Sequence, residues 1–340
     1  MNAGGAPENG QVVIGLNAVI VAIIEEQPKV LIVQHTPETL TAQHETLTDR
    51  ALPHDDRHEA LPFGPFYPLK HRTLESGLRS WVEEQTNHEI GYVEQLYTFG
   101  NEGRDPREEA GGARLVSVGY LALVQDTAPT AIETAIWHDW YQYFPWEDWR
   151  EDTPALLESD IIPALRKWIE ISTDATQRQD RYERACITFG LDDTPWNDEL
   201  VLERYELLYE ADLVAEAQDR TADPQIINQE SFDFRGTAMA LDHRRILATA
   251  IGRLRGKIKY RPVVFELMPP TFTLLQLQKV VEALSGSRLH KQNFRRLIEK
   301  KGLVEATGKI ESQTGGRPAS QFRFRREVLM EKQALGVRQN

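Results

Sequence analysis

Apolar and polar positions along the chain follow two rhythms. Residues 12–24 form an apolar, β-branched run and 29–34 a shorter one; with residues 25–28 as the turn they predict a β-hairpin. From Thr73 the spacing becomes helical. Leu74, Leu78, Trp81 and Val82 share one face, Thr73 and Ser76 are candidate caps, and Glu75, Arg79, Glu83 and Glu84 lie largely on another face. Runs at 92–99 and 115–124 predict strands flanking an acidic, glycine-rich loop at 100–112. Helices are predicted at 155–171 and 198–217, with polar connections at 173–180 and 219–229. A further helix is predicted at 242–259. Ile246, Ala250 and Leu254 form its apolar stripe, and Arg244, Arg245, Arg253, Arg255, Lys257 and Lys259 cover much of the rest. Residues 272–284 read as another helix and 285–287 as a turn.

The stretch from 287 to 325 carries the most specific pattern. Leu289, Phe294, Leu297 and Ile298 recur at helical spacing and are expected to face a core, with Ser287 as N-cap and Gly302 closing the helix. Short strand-like runs around 303–305 and 321–324 enclose a polar turn with Gly315, Gly316, Arg317 and Pro318. Helix, strand, basic glycine loop, strand is the order of a winged helix, whose second helix enters a major groove. Lys291, Gln292 and Asn293 stand early in that helix, where side chains reach base edges. Arg295, Arg296, Lys300 and Arg317 are placed for phosphates.

Charge changes the picture. The net charge of the 340 residues is −13, which argues against a nucleic-acid binder. From residue 235 onward, however, 22 Lys+Arg stand against 8 Asp+Glu, a net of +14, and the preceding part carries −27. Such a reversal suggests two modules with different partners, the basic one supplying phosphate contacts. The single cysteine, Cys186, excludes an internal disulfide and a cysteine-based zinc cluster, and reads as a buried thiol. His35, His44, His54 and His58 stand among acids without tight ligand spacing. With no signal-peptide start and no run of roughly 18 apolar residues, the chain is expected to be soluble and cytoplasmic, without membrane contact.

Loop, helix and the Arg79, Glu83, Glu84 spacing resemble a Nudix box, with Trp81 at its apolar position. Pro65, His71, Ser80, Thr86 and Asn87 depart from that box, Ser80 and His71 standing where it has glutamates. Other motifs widen the resemblance: YTFG at 97–100, RDPR at 104–107, VGYLALV at 118–124, FPWEDW at 144–149, LDHRRILATAIGRLRGKIKYRP at 241–262, FTLLQLQ at 272–278 and HKQNFRRLIEKKGLVE at 290–305, the last followed by TGGRPASQFRF. Together they resemble the Nudix-related transcriptional regulators of NAD metabolism, the NrtR family. The long insert resembles its alphaproteobacterial NadQ branch.

The resemblance implies an α+β chain in three parts. A Nudix-like α/β/α sandwich senses ligand over residues 1–151, an acidic helical insert spans 152–234, and a winged helix-turn-helix occupies 235–340. It implies a repressor of NAD synthesis or salvage genes that binds operator DNA as a homodimer. Its effector would be NAD, ATP or ADP-ribose, with no required cofactor, no metal site and no catalytic residues. The family's nucleotide cleft maps onto Arg79, Glu83, Glu84, Arg104, Asp105 and Arg107. For Arg79, an i,i+4 pair with Glu83 is the competing role. For the 242–259 helix, transmission between sensor and reader and a plain role as first helix of the winged domain stand side by side. The alternative for the whole chain is a Mg-dependent Nudix hydrolase with an appended nucleic-acid-binding domain. It needs Glu83, Glu84 and a substitute carboxylate such as Glu75 or one from 105–109.

Overall fold

The computed structural model describes residues 12–35, 58–101, 114–125, 132–218, 233–311 and 318–325. Two strands start the chain: β1 (Val12–Ile24) and β2 (Gln27–His35), joined by the two-residue turn Glu25–Glu26. Both turn residues have positive φ, 52° and 62°. That geometry suits the right-handed twist of a hairpin, and Asn-Gly usually supplies it. β3 (His58–Ala60), β4 (Phe63–Pro65), β5 (Tyr92–Phe99), β6 (Arg114–Leu123) and β7 (Ala135–Asp139) complete a mixed sheet in the order β3-β2-β1-β6-β5, with β4 also on β1 and β7 on β2. β1 and β6 pair in parallel and the other pairs are antiparallel.

β1 is buried on both faces, so it reads as one apolar run, and its period of two sorts the residues. Leu16, Ala18, Ile20 and Ala22 face helix α1 (Leu74–Thr86), meeting Leu78 and Val82. Val19 and Val21 join the larger core on the opposite side. There helix α5 (His243–Tyr260) lies against the sheet. A Cβ on Gly119 would stand 3.0 Å from Ile246, so the missing side chain lets α5 approach. Sheet between helices is the expected sandwich. Thr73 caps α1 through a capping box with Ser76, as its sequence suggests.

The insert departs from its predicted elements. The 155–171 helix is interrupted by a π-turn at Leu157–Ile161 before α2 (Ile162–Ile171). The stretch 173–180, expected as a connection, begins α3 (Ala175–Phe189), capped by Asp174. Its buried residues, Ala185, Cys186, Thr188 and Phe189, are confined to the last turns, so its first half shows no apolar rhythm. Helix α4 (Val201–Glu210) stops well short of residue 217, with Asp212 at φ 56° just beyond it and a single turn at Ala215–Gln218 following.

Several of the cations that cover α5 find partners within the molecule. Arg244 and Arg255 are buried, at 0% and 1% exposure. Arg244 pairs with Glu216 at 3.1 Å, Arg245 with Glu206 and Asp242, Lys257 with Glu94, and Lys259 with Asp198 and Glu199. Arg255 meets Glu147 at 2.5 Å, and Arg204 of α4 meets the same carboxylate at 2.6 Å. The insert is thus docked along α5. Its Glu199 carbonyl would stand 2.6 Å from a Cβ on Gly252. Five of the 22 cations counted from residue 235 onward thus have carboxylate partners along α5. No described helix is long and apolar enough to cross a membrane.

Candidate nucleic-acid interface

Helix α6 (Leu274–Ser285), helix α7 (Lys291–Lys301) and a three-stranded sheet form the C-terminal unit. The sheet has β8 (Phe272–Thr273) paired with β10 (Ala319–Phe324), and β10 paired with β9 (Val304–Glu311). Phe272 and Thr273, expected as helix, are strand: both pair with β10, and Thr273 then caps α6 through a box with Gln276. Phe265 stacks on Phe324 at 4.1 Å and lies 5.7 Å from Phe272, fastening the sheet beneath the helices.

Gly286 ends α6 in the left-handed conformation at φ 72°. Between it and α7 the buried Glu282 carboxylate accepts from the Leu289 amide and from Gln278 Nε2, both at 2.9 Å. Gln278 Nε2 also donates to the Leu289 carbonyl. The α7 N-cap is His290, not Ser287, and it makes no side-chain cap; Gly302 closes the helix at φ 59° as expected.

Phe294 and Ile298 bury one side of α7. Lys291, Gln292, Asn293, Arg295, Arg296, Glu299, Lys300 and Lys301 are exposed. Lys291, Arg295, Arg296 and Lys300 form no ion pair among the described residues. This exposed, cationic side carries the α7 residues for which the sequence leads one to expect contacts with bases and phosphates. Leu297, expected in the core, is 47% exposed and stands one turn beyond Asn293 on the same ridge. The signal was available: Phe294 and Ile298 are four apart, and Leu297 lies about 100° from Ile298 around the helix. Arg317 lies outside the described residues.

In the mixed α/β domain, Arg79 pairs with Glu75 at 2.8 Å, not with Glu83, and its guanidinium also donates to the carbonyls of Ile90 and Gly91. Glu83 and Glu84 are exposed on α1. Ser80 donates to the Ser76 carbonyl at 3.1 Å. His71 accepts from the Tyr67 amide at 3.1 Å and rests among the rings of Phe66, Tyr67 and Trp81. Trp81 in turn donates to the Pro65 carbonyl at 2.9 Å, and a Cβ on Gly64 would lie 2.3 Å from its ring. Aromatic packing thus fills the loop–helix junction where a Nudix box carries a carboxylate. Among the described residues no group of three or more His, Cys, Asp or Glu is placed to hold a metal ion. Arg79, Glu83 and Glu84 stand on one helix, and Arg104, Asp105 and Arg107 lie outside the described residues.

Comparison with known proteins follows the same division. Residues 264–324 match the family model of the NrtR DNA-binding winged helix domain. A stretch of 86 residues is 41% identical to the ADPR responsive transcriptional repressor NtrR of Acinetobacter baylyi; it covers 25% of this chain and 34% of that protein, about a third of the relative's length. The crystal structure of Shewanella oneidensis NrtR is similar in fold, with TM-score 0.50 and 20% identity over 92% of this chain and 94% of that one. The same protein complexed with a 27mer DNA aligns at TM-score 0.48 and 20% identity, over 93% and 95% of the two chains. The chain resembles the NrtR regulators twice over, by sequence in its winged helix and by fold along nearly its whole length, a mixed α/β domain followed by that winged helix.

Proposed function

We propose that this chain is a DNA-binding transcriptional repressor that responds to ADP-ribose. The observation that carries the proposal is α7: a short helix with its apolar side buried and an exposed side of amides and unpaired cations, within the segment that matches the NrtR winged helix. Gln292 and Asn293 read base edges, because a side-chain amide pairs with two groups of one base. Arg295, Arg296 and Lys300 hold phosphates. Leu297 adds apolar contact in the groove, where a thymine methyl is its natural partner.

The mixed α/β domain is the sensor. ADP-ribose is preferred over NAD and ATP as the effector, because the A. baylyi relative is described as ADPR responsive. Arg104 and Arg107 offer planar forks to its diphosphate. The domain binds without turning over, since the junction that would gather cations holds Ser80 and an aromatic-packed His71 instead. Binding to a two-fold operator as a homodimer follows from the usual economy of paired half-sites.

A gel shift tests the reading. A duplex selected by the full chain from a randomised library is titrated with wild-type protein and with Gln292→Ala/Asn293→Ala, with and without ADP-ribose, NAD and ATP. Wild type is expected to bind it in preference to scrambled DNA, the double variant to lose that preference, and ADP-ribose to change the wild-type shift most. Equal binding of selected and scrambled duplexes by wild type contradicts the reading.

A further inference from the structure

We propose that Glu147 is a positioning residue for helix α7: it fixes the turn that aims the recognition helix, and so ties DNA affinity to the state of the sensor and the insert. This rests on the DNA-binding role of α7 given above.

Glu147 is buried in the 144–149 stretch that ends the sensor. One carboxylate oxygen accepts from Arg204 Nε at 2.6 Å; the other accepts from Arg204 Nη2 at 2.9 Å and from Arg255 Nη1 at 2.5 Å. Arg204 belongs to the insert and Arg255 to α5, so one carboxylate joins three parts of the chain. Arg255 continues outward. Its Nε donates to the Leu284 carbonyl at 3.2 Å, and its Nη2 to the Glu147 carbonyl at 3.1 Å.

Leu284 lies in the last turn of α6, whose carbonyls need donors from elsewhere. The Glu282 carbonyl accepts the Gly286 amide, but at Ala283, Leu284 and Gly286 the donors come from outside the winged helix. Ala283 is taken by the Tyr141 hydroxyl at 2.7 Å, Leu284 by Arg255, and Gly286 by the Trp149 amide at 2.7 Å. A Cβ on Gly286 would stand 2.4 Å from the Glu147 carbonyl oxygen, so the turn and the sensor are in close contact. From the same turn Glu282 reaches the Leu289 amide, one residue before the α7 N-cap. The path is short, buried at Glu147, Arg255, Leu284 and Glu282 and half-buried at Leu289: Glu147, Arg255, the 283–286 turn, Glu282, Leu289, α7. In such surroundings an unmade polar contact is costly, so each link holds its neighbour to one geometry.

The test uses the full chain and three variants. Glu147→Gln removes the charge and keeps the shape. Tyr141→Phe removes only the hydroxyl on Ala283. Arg184→Ala, which breaks the exposed pair with Glu210 inside the insert, is the control. Affinity is read on a duplex selected by wild type and on a scrambled one, and amide exchange is read on the peptide spanning 283–291. Glu147→Gln and Tyr141→Phe are expected to lose at least tenfold on the selected duplex and less than twofold on the scrambled one, because the phosphate-binding cations remain. Exchange at 283–291 is expected to quicken in both, and the control to match wild type. Folded Glu147→Gln and Tyr141→Phe proteins that bind and exchange like wild type overturn the proposal. If Glu147→Gln does not fold, Arg255→Lys, which weakens the link from the Glu147 carboxylate to the Leu284 carbonyl, is read in its place, and a folded Arg255→Lys protein that binds and exchanges like wild type overturns the proposal. If wild type selects no duplex, the DNA-binding reading fails, and unchanged exchange at 283–291 in Tyr141→Phe then removes the coupling as well.

Discussion

Arg79 turns its guanidinium back onto Glu75, one turn earlier in α1, and leaves Glu83 exposed. The same guanidinium reaches the carbonyls of Ile90 and Gly91, so it staples the helix to the loop that follows. Arg79→Ala is therefore expected to lower stability by roughly 1–2 kcal/mol, as loss of charged hydrogen bonds to backbone does. It should weaken ADP-ribose binding less than Arg104→Ala or Arg107→Ala. Thermal melts and calorimetry on the three variants check this, and a larger loss of affinity at Arg79 than at either loop arginine contradicts it.

Glu147 gives stability a dependence on acid. Burial alone would raise its carboxyl, but Arg204 and Arg255 outweigh that and hold it below its ordinary 4.5. The folded form thus keeps the charged state longer than the unfolded chain does. Its contribution is complete above about 4.5 and is lost as pH falls below that value. Arg204→Met leaves the buried carboxylate one guanidinium short and is expected to cost about 3–5 kcal/mol at pH 7. Denaturant melts at pH 7 measure it; a cost below 1 kcal/mol would mean that Arg255 alone suffices.

His35 titrates in a different window. Burial, with a smaller effect from His58 across the β2–β3 pair, lowers it from 6.5 to about 4. The unfolded chain takes up the proton first, so stability is full above 6.5 and declines as pH falls toward 4, by on the order of 3 kcal/mol. His35→Phe, which keeps a ring beside Phe63, should flatten the profile between those values. A profile as steep as that of wild type would assign the loss to other groups.

The Glu25–Glu26 turn holds two ordinary side chains at positive φ. Replacing them with Asn-Gly should relieve that conformation and raise stability by about 1 kcal/mol. The melting temperature reads the change directly, and no rise would show that the glutamates gain compensating contacts.

How far the sequence foretold this structure depended on what each element buries. β1 and α1 were legible because their apolar rhythm matches the faces they cover, and α7 because Phe294 and Ile298 are four apart among cations. The first half of α3 was not, since only its last turns touch the core. Nor was the Glu147 cluster. Its partners stand 57 and 108 residues away, and charged residues in a sequence read as surface until a fold brings opposite charges together. For the same reason the positive charge after residue 235 overstated what is left for DNA. In the mixed α/β domain, the spacing found the helix of the box, but Arg79 meets Glu75 and the 90–91 carbonyls instead of Glu83.

On α7, side chains that read bases and those that hold phosphates should separate. Arg296→Ala is expected to weaken selected and scrambled duplexes alike and to reduce the salt dependence by about one unit of slope. Asn293→Ala should cost about 1–3 kcal/mol on the selected duplex only. Leu297→Ala should also act on the selected duplex alone. Anisotropy titrations at several salt concentrations resolve these outcomes, and an equal loss on both duplexes for Asn293→Ala would move that residue to the phosphates.

On the proposed function, one chain is expected to couple a nucleotide site to a DNA-reading helix. The most direct test is the affinity of the full chain for its selected duplex, measured by anisotropy across a titration of ADP-ribose. DNA affinity is expected to change by at least tenfold at saturation, about 1.4 kcal/mol of coupling, and ADP-ribose affinity by the same factor when the duplex is bound. DNA affinity that stays within twofold at saturating ADP-ribose would contradict it.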